Sequence, residues 1–531
     1  MAVALAERTE IAVHIFHDER SASFAALGIG QHDGIPAVLL CTSGTAAVQF
    51  HAAVVEADHA HVPLLVCTAD RPPELQGIGA PQTINQKNLY GDSTRLFVDA
   101  GVADDKQSAK WREFARNAYS ASLDISPGPV QINLPFREPL TGEPVNLPPV
   151  DTSSVIKQGR LSPSAADRKS LSKLFAFKRG VIVAGAGIDN PRFVFELANK
   201  LGWPIIADQR SLCRVPSSDT LGAVVVSTAD SMLRHEPTAQ RLQPEVILRI
   251  GDPPVSKVVN SWLRDSGATY CAISPTPLLI DPDNAIKLHI VGTPSSICME
   301  MSRGAEQQVD GSWPDLWKLK EQKVRKVLDV EIAVTGTLTE PMVACNTLSE
   351  LPEGSNLVVS SSMPIRDIEW FAKPRSGVRV FSNRGVNGID GVVSTAVGVA
   401  LASKKSTALL IGDIAMMHDI NGLINVMERN VDLRIVIIDN QGGGIFSFLS
   451  QAEALPKQRF EQLFGTPHNV DFVSLLAAHR VPCSVATSAE ELQMALAALG
   501  PIGILVRTER QQNVTEHVRL HATVAAMLTS E

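Results

Sequence analysis

Residues 434–449 read "RIVIIDNQGGGIFSFL". The first half is a β-branched apolar run, the pattern of a parallel-sheet strand buried on both faces. It ends abruptly in Asp439, Asn440 and Gln441, and Gly442, Gly443 and Gly444 follow. Ligands of open parallel sheets sit beyond the carboxyl ends of strands, where loops open into helix N-termini. Short oxygen-bearing side chains beside bare backbone suit that place. A tight turn capped by Asp and Asn is the competing reading of this stretch taken alone.

A second strand end lies one unit upstream. "TALLIGD" (407–413) closes on Gly412 and Asp413, and 440 − 413 = 27 residues separate Asp413 from Asn440. That is the length of one strand–helix–strand unit, which would set the two ends side by side. A carboxylate from Asp413, an amide oxygen from Asn440 and the carbonyl of Gly442 form a hard-oxygen set suited to Mg²⁺ or Ca²⁺, with places left for phosphate oxygens and water. Neighbouring strand residues point to opposite faces, so Asp439 is expected to face away. The glycines are expected to let backbone come close to the ligand, and Ile445 and Phe446 to wall an adjoining pocket.

The same alternation of strand and helix runs along the whole chain. Strand-length apolar runs occur at 11–16, 37–43, 63–69 and 129–135, then at 180–187, 204–209, 245–252 and 270–275, and finally at 356–362, 378–383, 407–413, 433–440 and 503–509. Helical patterns separate them. With 531 residues the chain is too long for one core. The expected fold is α/β, with three doubly wound parallel-sheet domains over residues 1–150, 155–325 and 335–531. A Pro-rich connector, "EPLTGEPVNLPPVDTSS" (138–154), links the first two, and a helix in "DGSWPDLWKLKEQKVRKVLDVE" (310–331) leads into the third. In the middle set, Gly185 and Gly187 begin a dinucleotide-like pattern, but Asn190 stands where a third glycine is wanted. A tight strand–helix turn is the better reading there.

Bulk properties exclude several classes. The formal charge of −8 disfavours nucleic acid as a partner. No apolar run reaches the length of a membrane span, so no anchor is expected. Seven cysteines are scattered without a C-x-x-C pair, as in a reduced, cytoplasmic protein.

"GDIAMMHDINGL…IVIIDNQGGGIF" resembles the cofactor motif of thiamine-diphosphate enzymes, a Gly-Asp followed after one crossover by an Asn pair. This chain departs from it at Ile414 and Asp439. "FHDERSASFAALG", "CTSGTAA", "TADRPPEL", "GAPQTINQ", "SMPIRDIE" and "FSNRGVNGIDG" together resemble one branch, the 2-succinyl-5-enolpyruvyl-6-hydroxy-3-cyclohexene-1-carboxylate synthases of menaquinone biosynthesis. The likeness is strong in the first and third domains and mainly one of layout in the second.

The resemblance implies thiamine diphosphate as cofactor, held through Mg²⁺, with Mn²⁺ as the alternative. It implies 2-oxoglutarate and isochorismate as substrates. Glu19 matches the glutamate that exchanges a proton with the cofactor's aminopyrimidine ring. Ile389 matches the apolar residue that props the bent cofactor. Ser362, Arg366 and Arg384 match positions expected around the succinyl carboxylate, and planar guanidinium groups suit such an anion. Arg71 and Gln82 match positions expected near isochorismate, and Lys257 matches a basic position of the middle domain. The family's site lies between the first domain of one subunit and the third of another, which implies a homodimer or homotetramer.

The family also carries a strand ending in Ser-Pro-Gly-Ser-Arg before the segment that here reads "MAVALAERTE". That segment reads as the interior of a helix entered without a cap, so the first strand of the first domain is expected to be missing. Two alternatives stay open: another thiamine-diphosphate decarboxylase or synthase of 2-oxo acids, and a catalytically silent scaffold or regulator of the same fold.

Overall fold

The computed structural model describes residues 1–104, 108–141, 161–305, 311–334 and 336–530. Three sheets, every ladder of them parallel, carry these residues. The chain divides into two compact units. One comprises Met1–Gly159, Asn383–Lys404 and Met417–Val431, and the other the remaining residues.

The first unit holds β1 (Ala37–Cys41), β2 (Leu64–Asp70), β3 (Leu96–Asp99) and β4 (Pro129–Pro135), in the order β1-β2-β4-β3. Its core gathers Phe24, Leu27, Phe50, Val54, Leu64 and Val66. The helix Glu19–Asp33 opens on Asp18, whose carboxylate accepts from the N–H groups of Arg20 and Ser21. This is an N-cap that the "HDERS" sequence supplies. The helix lies against the helix Val392–Ser403 at backbone contact. A Cβ placed on Gly28 would stand 2.2 Å from the Thr395 carbonyl oxygen, and one on Gly398 would stand 2.0 Å from that of Ala25.

The expected strand at 11–16 does not form. Residues 11–16 have no ladder partner, and Ile11, Val13 and Ile15 are exposed. Alternation makes a run fit for a sheet, but only a neighbouring strand can satisfy its backbone. The short β3 escaped the sequence reading because its "LFVD" is only four residues long. Of the expected connector at 138–154, residues 142–154 lie outside the described residues.

In the second unit, β5 (Gly180–Ala184), β6 (Ile205–Ala207), β7 (Val225–Val226), β8 (Val246–Ile250), β9 (Thr269–Ser274) and β10 (Leu288–Val291) form a sheet in the order β10-β9-β8-β5-β6-β7. The glycine after β5 has a structural use. A Cβ on Gly185 would meet the Asp252 carbonyl oxygen at 1.9 Å, so the residue lets two strand-end loops touch.

The third sheet contains β11 (Ser355–Val359), β12 (Val378–Phe381), β13 (Thr407–Gly412), β14 (Leu433–Asp439), β15 (Cys483–Val485) and β16 (Ile502–Arg507), in the order β12-β11-β13-β14-β16-β15. Strand order reverses between β11 and β13, which makes the carboxyl ends of those strands a topological switch point. Gly412 of β13 lies opposite Ile438 of β14, so the two strand ends singled out in the sequence are neighbours. The long helix Ser312–Ala333 stands where the connecting helix was expected, and a second long helix covers Arg510–Thr529.

Candidate active site

The ends of β13 and β14 bring together one group of candidate residues, inside the second unit. Asp413 is buried. Its Oδ1 accepts from the N–H of Ile414 at 2.6 Å, and its Oδ2 accepts from the N–H of Gly442 at 3.0 Å. Burial nevertheless pushes its carboxyl above the ordinary range, with those two bonds and His468 pulling the other way. Asn440 donates through Nδ2 to Glu340 Oε1 at 3.0 Å, while its Oδ1 is buried without a hydrogen-bond partner among the described residues. An amide oxygen in that condition is costly unless a donor or cation meets it. The Gly442 carbonyl accepts from the Gly444 N–H at 2.9 Å and keeps a second lone pair. Asp413, Asn440 and the Gly442 carbonyl thus offer the hard oxygens that a Mg²⁺ ion carrying a diphosphate requires.

Asp439 differs from its expected orientation. Oxygens of Asp413 and Asp439 and a ring nitrogen of His468 lie within 4.8 Å of one another. Asp439 is the last residue of β14, where the pleat stops governing direction. Its Oδ1 turns to accept from the Gln441 N–H at 3.2 Å, and this brings the carboxylate into the same corner. The glycines also have a nearer use than ligand approach. Gly442 has φ +146°, and a Cβ there would stand 2.0 Å from the Gly465 carbonyl oxygen; one on Gly443 would stand 2.3 Å from that of Phe464. The loop is seated on its neighbour by backbone contact. Ile445 and Phe446 follow in the turn Gly444–Phe448, with the Phe446 ring 5.4 Å from that of Phe464.

Ser362 and Arg366 come together beyond β11. Ser362 has φ +76°, a strained conformation for a residue with a side chain, just before the helix Met363–Phe371. Arg366 donates from Nη1 to the Ser362 carbonyl oxygen. Both are partly buried, at the switch point of the sheet. Lys257 stands in neither group. It opens the helix Lys257–Asp265 after the Ser256 N-cap, with its side chain exposed.

A second group is inside the first unit. Glu19 and Gln82 line one open cavity of about 670 Å³, together with Thr42, Ser43 and Asn421. Gln82 has φ +59°, and its amide donates to Thr42 Oγ1 at 3.1 Å. Arg71 lies on the same loop, its Nε donating to the Pro81 carbonyl oxygen at 3.4 Å. Arg384 and Ile389 occupy the loop before the helix Val392–Ser403. That loop is tied down by Glu56, which accepts from the N–H of Gly385 at 2.7 Å and of Val386 at 2.8 Å. Burial holds the Glu56 carboxyl above its usual range.

Residues 1–89 match the model of the thiamine pyrophosphate enzyme N-terminal TPP binding domain, 151–359 that of the thiamine pyrophosphate middle domain, and 361–502 that of the C-terminal TPP binding domain. A 2-succinyl-5-enolpyruvyl-6-hydroxy-3-cyclohexene-1-carboxylate synthase of Myxococcus xanthus is 38% identical over 536 residues, covering 96% of this chain and 90% of its own. Synthases of the same name from Chloroflexus aurantiacus and Listeria innocua are 37% and 36% identical; the alignments cover 97% and 99% of this chain and 90% and 93% of theirs. The chain belongs to this family of thiamine-diphosphate enzymes.

Three residues of this family member were not found from its sequence: His468, Glu340 and Glu56. His468 Nε2 stands 3.1 Å from Asp413 Oδ2, and its Nδ1 accepts from the Val470 N–H at 3.3 Å. Glu340 is buried behind Asn440, and burial pushes its carboxyl up to about 7. Each lies far along the chain from its partner and carries no local pattern. The one available signal was compositional, an acidic residue following a run of small apolar ones, as in "AAVVEA" around Glu56.

Proposed function

We propose that the chain makes 2-succinyl-5-enolpyruvyl-6-hydroxy-3-cyclohexene-1-carboxylate, decarboxylating 2-oxoglutarate and adding the succinyl unit to isochorismate. The observation that carries this reading is the shared name of relatives 36–38% identical along nearly the whole chain. The matched domain models support thiamine diphosphate as cofactor. Bound, that cofactor supplies the electron sink needed to break the bond between the 2-oxo carbon and its carboxylate.

The chain's own residues then have distinct tasks. Glu19 exchanges a proton with a ring nitrogen of the cofactor's aminopyrimidine, and Ile389 props the cofactor in its bent form. Asp413, Asn440 and the Gly442 carbonyl hold Mg²⁺, with Mn²⁺ as the substitute; the unpartnered Asn440 Oδ1 supports this assignment. Ser362, Arg366 and Arg384 receive the succinyl carboxylate. Arg71 and Gln82 receive isochorismate, with Lys257 a further basic contact, and Ile445 and Phe446 wall the pocket. Domains at 1–150, 155–325 and 335–531 fit this division of labour. From the family resemblance, we read the active species as a homodimer or larger homo-oligomer. No helix among the described residues is long and apolar enough to cross a membrane, and we assign the enzyme to the cytoplasm.

The test is direct. The chain is incubated with both substrates, thiamine diphosphate and Mg²⁺, and products are followed by mass spectrometry, omitting each component in turn. The coupled adduct should form only in the complete mixture. Release of CO₂ without adduct would identify a simple decarboxylase instead.

A further inference from the structure

Glu340 opens the helix Glu340–Ser349 and is only 2% exposed. Its Oε1 accepts two hydrogen bonds, from Asn440 Nδ2 at 3.0 Å and from Thr508 Oγ1 at 2.9 Å. A side-chain amide has one donor end and one acceptor end. With Glu340 ionised, Asn440 turned the other way would set its oxygen against the Glu340 oxygen, two acceptors facing each other with no proton between them. The carboxylate therefore selects one orientation. In that orientation Asn440 Oδ1 points away from Glu340, buried and with no hydrogen-bond partner among the described residues.

We propose that Glu340 is a positioning residue for the divalent cation: by holding the Asn440 nitrogen, it presents the amide oxygen, not the amide hydrogens, to the ion. The inference rests on Asn440 being a cation ligand. A metal's ligands are commonly oriented by groups behind them, and loss of such a group weakens metal binding roughly 10- to 100-fold. Thr508 shares the Glu340 oxygen and keeps it from swinging away. Because both bonds fall on one oxygen, a glutamine whose carbonyl replaced Oε1 would preserve the arrangement. A leucine would abolish it, and an aspartate, shorter by one methylene, would withdraw the acceptor.

The experiment measures binding of Mg²⁺ to the full chain at saturating thiamine diphosphate, by calorimetry or tryptophan fluorescence rather than by turnover. Asn440→Ala sets the loss expected of a missing ligand. Glu340→Leu should weaken Mg²⁺ binding roughly 10- to 100-fold, and Glu340→Gln should bind close to the unaltered chain. Glu340→Asp should also be weakened, and it stands in for the leucine variant if that one does not fold. Combining Glu340→Leu with Asn440→Ala should cost no more than Asn440→Ala alone, since the glutamate acts only through the amide. Unaltered Mg²⁺ binding in the Glu340 variants, alongside a weakened Asn440→Ala, would overturn the positioning role and leave the ligand assignment standing. Additive losses in the double variant would also overturn it. If Asn440→Ala itself bound Mg²⁺ normally, the ligand assignment would fail and the proposal with it.

Discussion

Gly398→Ala examines how the first unit holds Glu19. The helices Glu19–Asp33 and Val392–Ser403 touch at backbone, and the alanine Cβ would stand 2.0 Å from the Ala25 carbonyl oxygen and 2.8 Å from its carbon. Real Cβ contacts essentially never fall below 3.0 Å, so the helices must part by about 3.0 − 2.0 = 1.0 Å. The obstacle is backbone, which has no rotamer to escape into. Overpacking of this kind costs about 1–3 kcal/mol, while replacing a helical glycine by alanine returns about 1 kcal/mol. The expected net loss is ~0–2 kcal/mol. The catalytic consequence should be larger, because one helix begins at Glu19 and the other follows the Ile389 loop. A displacement of about 1 Å at a reacting group can cost roughly 100-fold in rate. Urea unfolding and steady-state turnover with both substrates measure the two effects. Gly34→Ala is the control: its φ is +69° with no atom within 4 Å of the new Cβ, so it should lose about 1 kcal/mol from backbone strain and keep its activity. A Gly398→Ala chain as stable and as active as the unaltered one would refute the reasoning.

Other substitutions address single roles. Glu19→Gln should keep the fold and its thermal midpoint while turnover drops roughly 10²- to 10⁴-fold, the range for a lost acid–base group; wild-type-like activity would remove Glu19 from the mechanism. Arg384→Ala should raise the KM for 2-oxoglutarate roughly 10- to 100-fold and that for isochorismate much less, and the reverse order would refute the division of the pocket. Burial pushes the Asp419 carboxyl up to about 6, with bonds from the Ser394 N–H and hydroxyl opposing it. The folded chain therefore keeps that proton after the unfolded chain has lost it, and this group lowers stability as pH rises from about 4 through about 6. Asp419→Asn removes the titration, so its stability relative to the unaltered chain should climb by up to ~3 kcal/mol across that window; parallel stability–pH curves would contradict the assignment.

Much of the sheet architecture was legible because buried parallel strands announce themselves as unbroken β-branched runs. "RIVIIDN" and "TALLIGD" are such runs, and the ladder sets their ends side by side. The strand at 11–16 was misread because alternation says nothing about whether a neighbour exists to pair with. β7, two residues long, and β15, three residues long, were too short to produce a pattern. Asp413, Asn440 and Gly442 were singled out because they lie at strand ends, where chain direction and sheet topology predict a ligand. Orientation was harder. Asp439 broke the alternation rule at the one position where the strand was already becoming a turn. His468, Glu340 and Glu56 act through contacts 29 or more residues away in the chain: Glu340 meets Asn440 across 100 positions and Glu56 meets Gly385 across 329. No local pattern encodes such a pairing. The glycine-rich loop taught the opposite lesson, since a motif suggesting ligand approach is first needed to seat the loop on residues 464 and 465.

The central claim is that loss of CO₂ from 2-oxoglutarate serves bond formation to isochorismate. The most direct measurement follows labelled CO₂ released from 2-oxoglutarate and the coupled adduct in the same reaction, with isochorismate added at increasing concentration. CO₂ and adduct should rise together, one for one, with little CO₂ released when isochorismate is absent. CO₂ release that is rapid without isochorismate and indifferent to its addition would contradict the account.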